Sequence, residues 1–304
     1  MTTNARGNTG PGDAQPYGEV FDRGYRSYDG PRRGRSGAIT SLIGYSMKRA
    51  MGIRKSWTAK ILPFLLYTAI TIPLVVQIGV TAIVPDAGFA SYSGYLAGIF
   101  LTVGVFVGTA APEMICVDRH ERTLPLYFAR AITRGDYVLA KTIAMVMLTM
   151  TLTVIPAILL WLGRQLVAES VGTAMRENIG DLGRVIFAGA MIALVLSAIG
   201  LAVSSFTNRK GVAIALIIFL FVVVTGVANV GIEVLNDQDW SRYLIGLHLP
   251  LLFEGMNAHL FGNNQDPVID RVDLPLSAYI GWMFTLIALC LVIFRWRYAQ
   301  SDDT

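Results

Sequence analysis

Charged residues are scarce in this chain of 304 residues. Asp, Glu, Lys and Arg make up 15% of it and apolar residues 54%, against about 25% charged residues in an average soluble protein. Six stretches of 21 to 24 residues contain no charged residue and no histidine. About 20 apolar residues cross the hydrocarbon core of a bilayer as a helix. The composition therefore excludes soluble, disordered and β-barrel proteins and predicts an all-α integral membrane protein. We expect six transmembrane helices, at about residues 61–84, 91–112, 142–162, 185–208, 212–232 and 274–294.

Cysteine and histidine are also rare, which limits the chemistry available to the chain. The two cysteines, Cys116 and Cys290, suggest neither a disulfide nor a thiolate metal site. All three histidines lie outside the six stretches, so no Ser–His or Cys–His pair is expected within the membrane. Gly30–Ser36 resembles a phosphate-binding loop only loosely, with three residues between its glycines and Arg in place of Lys. We expect no enzyme activity, no catalytic residue, and no metal or cofactor bound by this chain.

The absence of ionisable groups from the six stretches argues against a proton-coupled carrier. Such carriers keep a titratable side chain within the bilayer to take up and release the proton. A sodium site built from carbonyl and hydroxyl oxygens stays open as an alternative.

Basic residues predict the orientation. The flanks on the side of both termini contain 20 Lys and Arg residues, and the flanks on the other side contain five. By the positive-inside rule both termini are cytoplasmic, in a multi-pass protein of the cell membrane (plasma or bacterial inner membrane). The basic balance of the chain then reflects topology, and nucleic acid is not an expected partner.

The pattern along the chain predicts four regions. Residues 1–36 form a disordered basic tail, residues 37–57 an amphipathic helix on the cytoplasmic leaflet, residues 58–294 the six-span transmembrane domain, and residues 295–304 a cytoplasmic tail. At 100° per residue the amphipathic segment collects one apolar face: Ile39, Leu42, Ile43, Met47, Ala50, Ile53 and Trp57.

Two further segments carry predictions. The longest external segment, Glu233–Asp273, is too apolar for a solvated loop and predicts a short helix in or near the outer interface. The second span contains two pairs of glycines spaced by four, which favour close helix packing or, alternatively, line a substrate path: Gly94, Gly98, Gly104 and Gly108.

The connection between the second and third spans, Glu113–Lys141, is the most informative stretch. Thr123 is a candidate N-cap for a short helix over Leu124–Phe128. Thr133 and Asp136 have the spacing of a capping box at the start of the third span. Exposed apolar and aromatic residues among charges are typical of a docking surface for a soluble partner. The residues of this candidate site are Glu113, Asp118, Arg119, Glu121, Arg122, Thr123, Leu124, Leu126, Tyr127, Phe128 and Arg134.

These residues resemble the membrane subunits of type-2 ABC transporters, the bacterial export permeases. In that family the connection begins with Glu and continues Glu-x-Gly-Thr-Leu, Pro-[Ile/Val]-Ser-Arg and Leu-Gly-Lys. Glu113 matches the first acid. The later elements correspond to Glu121-Arg122-Thr123-Leu124, Ala131-Ile132-Thr133-Arg134 and Leu139-Ala140-Lys141. Three residues depart from the pattern: Arg122 stands for Gly, Ala131 for Pro and Ala140 for Gly. The segment Tyr25–Arg32 also resembles one branch of the family.

The resemblance implies a mechanism. Two permease chains, identical or different, would pair in the lipid bilayer, and each would rest on an ABC ATPase subunit that binds ATP and Mg²⁺. Thr123–Phe128 would be the coupling helix, with Glu113 and Arg134 at its ends, in an ATP-driven exporter. An ion-coupled secondary transporter and a membrane enzyme or assembly scaffold stay open as alternatives. Drug, lipid, peptide and natural-product substrates are all compatible with spans this apolar.

Overall fold

The computed structural model describes residues 34–53, 55–83, 91–129, 132–234, 240–262 and 267–299, and these ranges contain helices and no β-strand. The predicted all-α membrane fold is confirmed, since six of the helices are long and apolar enough to cross a bilayer. The predicted tail up to residue 33 lies outside the described residues. The helices are α1 (Arg35–Ala50), α2 (Thr58–Ile83), α3 (Tyr92–His120), α4 (Leu124–Phe128), α5 (Arg134–Val167), α6 (Val171–Glu177), α7 (Ile179–Ser204), α8 (Lys210–Val234, with a π-helical turn at Leu220–Val224), α9 (Leu249–Phe261), α10 (Pro267–Val272) and α11 (Leu276–Ala299).

The six long helices form a bundle around α3 and α7. Most of the apolar stretch of these two helices is buried, 67% in α3 and 78% in α7. The corresponding fractions are only 22% in α2, 17% in α8 and 11% in α11. Because α2, α8 and α11 are as apolar as the central pair, their exposed sides are suited to lipid or to another membrane chain.

One end of the bundle, which we call the basic end, carries α1 and α4. The carboxyl ends of α3, α7 and α11 meet the amino ends of α5 and α8 there, as the contacts of Arg119 with Ser205, Arg134 with Ala299 and Lys210 with Glu113 show. The apolar side of α1 packs against α3 and α5, so this amphipathic helix is attached to the bundle as well as to any membrane surface.

The predicted amphipathic helix was too long at its carboxyl end. The helix stops at Ala50 because Gly52 adopts φ +66° and closes a Schellman motif, in which Ile53 N donates to Lys48 O and Gly52 N to Arg49 O. A side chain at Gly52 would also meet Ala59 O at 2.8 Å. Consequently Trp57, predicted on the apolar face, lies beyond the helix and is 78% exposed.

The predicted helix within Glu233–Asp273 is present as α9, which follows a short 3₁₀ helix (Ser241–Leu247). It packs against α3, α7 and α11, and Leu252 and Met256 are wholly buried. The helix is therefore part of the bundle core at the end opposite to the basic one.

Candidate functional site

The connection that carries the candidate site is shorter than predicted. Helix α3 continues to His120 and α5 begins at Arg134, so only residues 121–133 connect them. Glu113, Asp118 and Arg119 thus lie on the last two turns of a membrane-spanning helix. Their charges are tolerated because these turns extend beyond the charge-free stretch, where Glu113 and Asp118 pair with side chains and Arg119 with the carbonyl of Ser205.

Helix α3 ends in the same motif as α1, but with arginine at the critical position. Thr123 N donates to Asp118 O at 3.0 Å, Arg122 N donates to Arg119 O at 3.3 Å, and Arg122 has φ +52°. Glycine is the usual residue at this left-handed position, where a β-carbon costs about 1 kcal/mol. Arg122 occupies the place where the sequence pattern discussed above has glycine, so this chain keeps a charged side chain at a conformational cost.

The short helix α4 is present at the predicted residues, Leu124–Phe128, but Thr123 does not cap it in the predicted way. Thr123 has helical dihedral angles, and its hydroxyl donates to Asp118 O at 3.2 Å without accepting from the amides of α4. Thr123 therefore fastens α4 to α3.

The apolar residues of α4 divide into two groups. Leu126 is 68% exposed. Tyr127 and Phe128 turn toward the bundle, with ring centroids 6.0 and 6.2 Å from that of the buried Tyr137. Burial raises the pKa of Tyr127 to about 12, so its phenol stays neutral. Leu126 is consequently the large apolar side chain of α4 that is available to a partner, next to the exposed Pro125.

Asp118 is the centre of a buried polar network beneath α4. Its side chain and that of Lys141 are both wholly buried, and Lys141 Nζ lies 2.6 Å from Asp118 Oδ2. Arg49 Nη1 donates to Asp118 Oδ1 at 2.8 Å, and Tyr137 Oη donates to Oδ2 at 3.0 Å. Three donors from α1 and α5 therefore converge on one carboxylate of α3. A buried charge is stable only with such partners.

Glu113 lies at a second ion cluster, one and a half turns before Asp118 on α3. Its carboxylate binds the ammonium groups of Lys55 and Lys210, and Arg49 Nε lies 3.8 Å away. Burial and the neighbouring charges of Lys210 and Arg49 lower the pKa of Lys55 to about 8. Glu113 thus joins α3 to the start of α8 and to the segment after α1, rather than to an end of α4.

Three more sets of contacts fix the start of α5. Thr133 and Asp136 form the predicted capping box, with Asp136 N donating to Thr133 Oγ1 at 3.2 Å and Thr133 N donating to Asp136 Oδ2 at 3.0 Å. Arg35 makes two 2.8 Å hydrogen bonds to the same carboxylate, which attaches α1 to this cap. Arg134 Nη1 donates to Ala299 O at 3.0 Å, and its guanidinium lies 5.7 Å from the Phe128 ring.

The sequence of the chain matches a known family over most of the helices described above. Residues 26–257 match the model of the ABC-2 family transporter protein, which covers the bundle from α1 to most of α9. The chain belongs to the ABC-2 transporter family. No curated protein matches it. Membership makes the chain the membrane permease subunit of an ABC transporter, a multi-pass type of subunit that normally has no enzymatic activity and associates with an ABC ATPase.

The glycines of the second span in this ABC-2 permease differ in how closely neighbouring helices approach them. A β-carbon on Gly104 or Gly108 would lie 3.6 or 3.5 Å from side chains of α8, which is ordinary contact, and Gly98 has nothing within 4 Å. Gly94 N donates to Ser91 Oγ at the start of α3. Close backbone approach occurs instead at Gly189 on α7, where a β-carbon would lie 3.3 Å from the backbone of Thr153 and Val154.

The candidate residues predicted from the sequence form one region, but several partners were missed. Arg49, Lys55, Lys141 and Lys210 supply the cations of the two ion clusters. In the sequence, Lys141 was noted only as the last residue of the family pattern, with no partner predicted for it. A signal was nevertheless present, since Asp118 and Lys141 lie within two turns of charge-free stretches, where a charge needs a partner.

Proposed function

We propose that this permease subunit belongs to an ATP-driven exporter and docks a separate ATPase subunit through α4. The observation that carries the proposal is the exposure of Leu126, 68%, on a helix of five residues whose two aromatic side chains, Tyr127 and Phe128, pack toward Tyr137. An exposed leucine on a short, firmly attached helix provides an apolar anchor for a complementary groove.

The attachment of α4 explains how movement of the ATPase would reach the membrane helices. Thr123 joins the amino end of α4 to α3 through Asp118 O, and Tyr127 and Phe128 join it to α5 through Tyr137. The Tyr137 ring also lies 5.2 Å from that of Tyr298 on α11. Because Tyr137 also donates to Asp118, α3 and α5 would move together when α4 is displaced.

The family and the topology support the remaining parts of the proposal. The basic end faces the cytoplasm under the positive-inside rule, where ATP and Mg²⁺ bind to the ATPase subunit and not to this chain. A second permease chain, the same or a different one, covers part of the exposed apolar surface of α2, α8 and α11. Rocking of the two chains about their interface would alternate access to the path between them.

The experiment compares Leu126→Asp with the matched variant Leu126→Met. The permease and its ATPase, recognised by nucleotide-binding motifs and expressed separately, are combined in lipid nanodiscs, and ATP hydrolysis and ATPase binding are measured. We expect Leu126→Asp to lose about 2 kcal/mol or more of binding free energy and the permease-dependent change in hydrolysis, whereas Leu126→Met retains both. Wild-type behaviour of Leu126→Asp would remove α4 from the docking site.

A further inference from the structure

A surface depression beside α4 is lined by residues that have no role in the docking of Leu126. Its volume is about 520 Å³, and it lies where the ends of α3 and α4, the start of α5 and the segment after α7 meet. We call it the arginine pocket. It is lined by Arg119, Arg122, Leu124, Pro125, Phe128, Arg134 and Asn208.

The pocket contains three guanidinium groups, and its lining residues in the described part of the chain include no carboxylate. Arg119 donates to a neutral acceptor, the carbonyl of Ser205. The guanidinium of Arg122 is on an exposed residue and has no hydrogen-bond or ion-pair partner among the residues that the structure describes. In contrast, Arg35 and Arg49 at the same end of the bundle each bind a carboxylate. Around Asp118 and Glu113 the positive charges of the basic end are therefore neutralised, whereas Arg119 and Arg122 bind no carboxylate among the residues that the structure describes.

The backbone at Arg122 gives independent evidence that this side chain has a use. Its φ of +52° ends α3 as Gly52 ends α1, and glycine would adopt it without the clash of a β-carbon. Residues held in costly backbone conformations are concentrated at functional sites. The planar guanidinium is also pre-organised for a carboxylate, so it loses less freedom per hydrogen bond than a lysine ammonium would.

We propose that the arginine pocket receives an acidic side chain of the ATPase subunit, with Arg122 as a principal contact. The proposal rests on the docking of the ATPase at α4. The carboxylate would bind among guanidinium groups, which match it in geometry, above apolar atoms of Leu124, Pro125 and Phe128 that limit the access of water. The same short helix lines the pocket and presents Leu126, so a subunit that covers Leu126 also covers the pocket. Charge then sets the orientation and rate of docking, and Leu126 supplies the apolar anchor.

Two variants of Arg122 separate this role from a structural one. Arg122→Gly removes the guanidinium and relieves the backbone, so it should raise the Tm of the permease by about 2 to 4 °C and yet weaken ATPase binding about fivefold. Arg122→Glu should weaken binding at least about tenfold. Lys48→Glu, which makes the same charge change at an exposed residue of α1, is the matched control and should bind normally. Binding of wild type should weaken with added salt more steeply than that of Arg122→Gly.

The outcomes distinguish this proposal from the docking of α4 itself. Loss of binding in Leu126→Asp together with normal binding in Arg122→Gly and Arg122→Glu would overturn the pocket and leave the docking helix. Normal binding in all three variants would overturn both. Measurements in nanodiscs of phosphatidylcholine, with and without phosphatidylglycerol, add a further outcome. If Arg122→Gly changes only the response to phosphatidylglycerol and not ATPase binding, the pocket holds a lipid headgroup and the proposal is wrong.

Discussion

The buried pair of Asp118 and Lys141 gives a prediction whose size follows from its geometry. Lys141 Nζ has two acceptors, Asp118 Oδ2 at 2.6 Å and Met114 O at 3.0 Å. In Asp118→Asn the ammonium keeps one neutral carbonyl and faces an uncharged amide in a fully buried site. Removing one partner of such a pair costs about 3 to 5 kcal/mol of folding free energy.

The reverse change should cost less, because the two partners are not equivalent. In Lys141→Met, Asp118 still accepts from Arg49 at 2.8 Å and Tyr137 at 3.0 Å. Only one charge-assisted hydrogen bond is lost, and methionine has nearly the same volume, so we expect a cost of about 1 to 3 kcal/mol. The double variant leaves no buried lysine without an anion. Its cost should fall short of the sum of the single costs by about 2 kcal/mol.

The assay is unfolding of the purified permease in mixed micelles titrated with sodium dodecyl sulfate, followed by tryptophan fluorescence. Glu121→Gln is the matched control, because Glu121 binds the same Arg49 but its side chain is 52% exposed, and it should cost less than about 1 kcal/mol. Equal costs for Asp118→Asn and Lys141→Met, or single costs that add to within about 0.5 kcal/mol, would refute the network described for Asp118.

Three further predictions concern other parts of the bundle. Thr133→Ala removes the capping box of α5 and should cost about 1 kcal/mol in the same assay, while Thr142→Ala in the same helix should cost less; equal costs would argue against the cap. Gly189→Ala places a β-carbon 3.3 Å from the backbone of α5 and should lower stability by about 1 kcal/mol or more. In Gly98→Ala the added β-carbon meets nothing within 4 Å, so this variant should be neutral or slightly stabilising. A larger loss of stability in Gly98→Ala than in Gly189→Ala would contradict the packing. Lys55 has a pKa lowered to about 8, so between pH 8 and 10.5 the unfolded chain binds more protons at this residue than the folded chain does. The stability of wild type relative to Lys55→Met should therefore rise with pH over that range. If the difference in Tm between the two proteins falls instead, the lowered pKa is contradicted.

The six spans could be predicted because hydrocarbon excludes charge, and a charge-free stretch of 21 residues or more is conspicuous in any sequence. The helix ends could not be predicted in the same way. Charges on the outer turns of a helix are tolerated when a distant residue neutralises them, as Lys141 neutralises Asp118 across two helices. Such pairs depend on tertiary packing, so α3 and α5 were each predicted about eight residues too short at the basic end.

Two helix ends show why periodicity alone misleads. The apolar period of the first helix continues past Gly52, but glycine in the left-handed conformation stops the helix there. The sequence contained that signal in the glycine itself. At the end of α3 the same left-handed conformation is adopted by Arg122. Arginine has no preference for this conformation, so its residue type does not indicate that a helix ends there. The capping box at Thr133 and Asp136, a short-range pattern with its own hydrogen bonds, was predictable and is confirmed.

The candidate site was predictable in position and less so in detail. The apolar composition of Leu124–Phe128 indicated a docking helix, yet only the structure separates the exposed Leu126 from Tyr127, which packs toward Tyr137. A test that replaces both residues with Asp would disturb folding as well as docking. Leu126 alone is the cleaner probe.

Cross-linking from Leu126 tests the central claim most directly. A photoreactive benzoylphenylalanine is placed at residue 126, or at Leu166, which is 58% exposed at the opposite end of the bundle, and the permease–ATPase complex is irradiated in nanodiscs. We predict a covalent adduct with the ATPase subunit from residue 126 and none from residue 166. Absence of the adduct at residue 126, or an adduct at residue 166, would contradict the docking of the ATPase at α4.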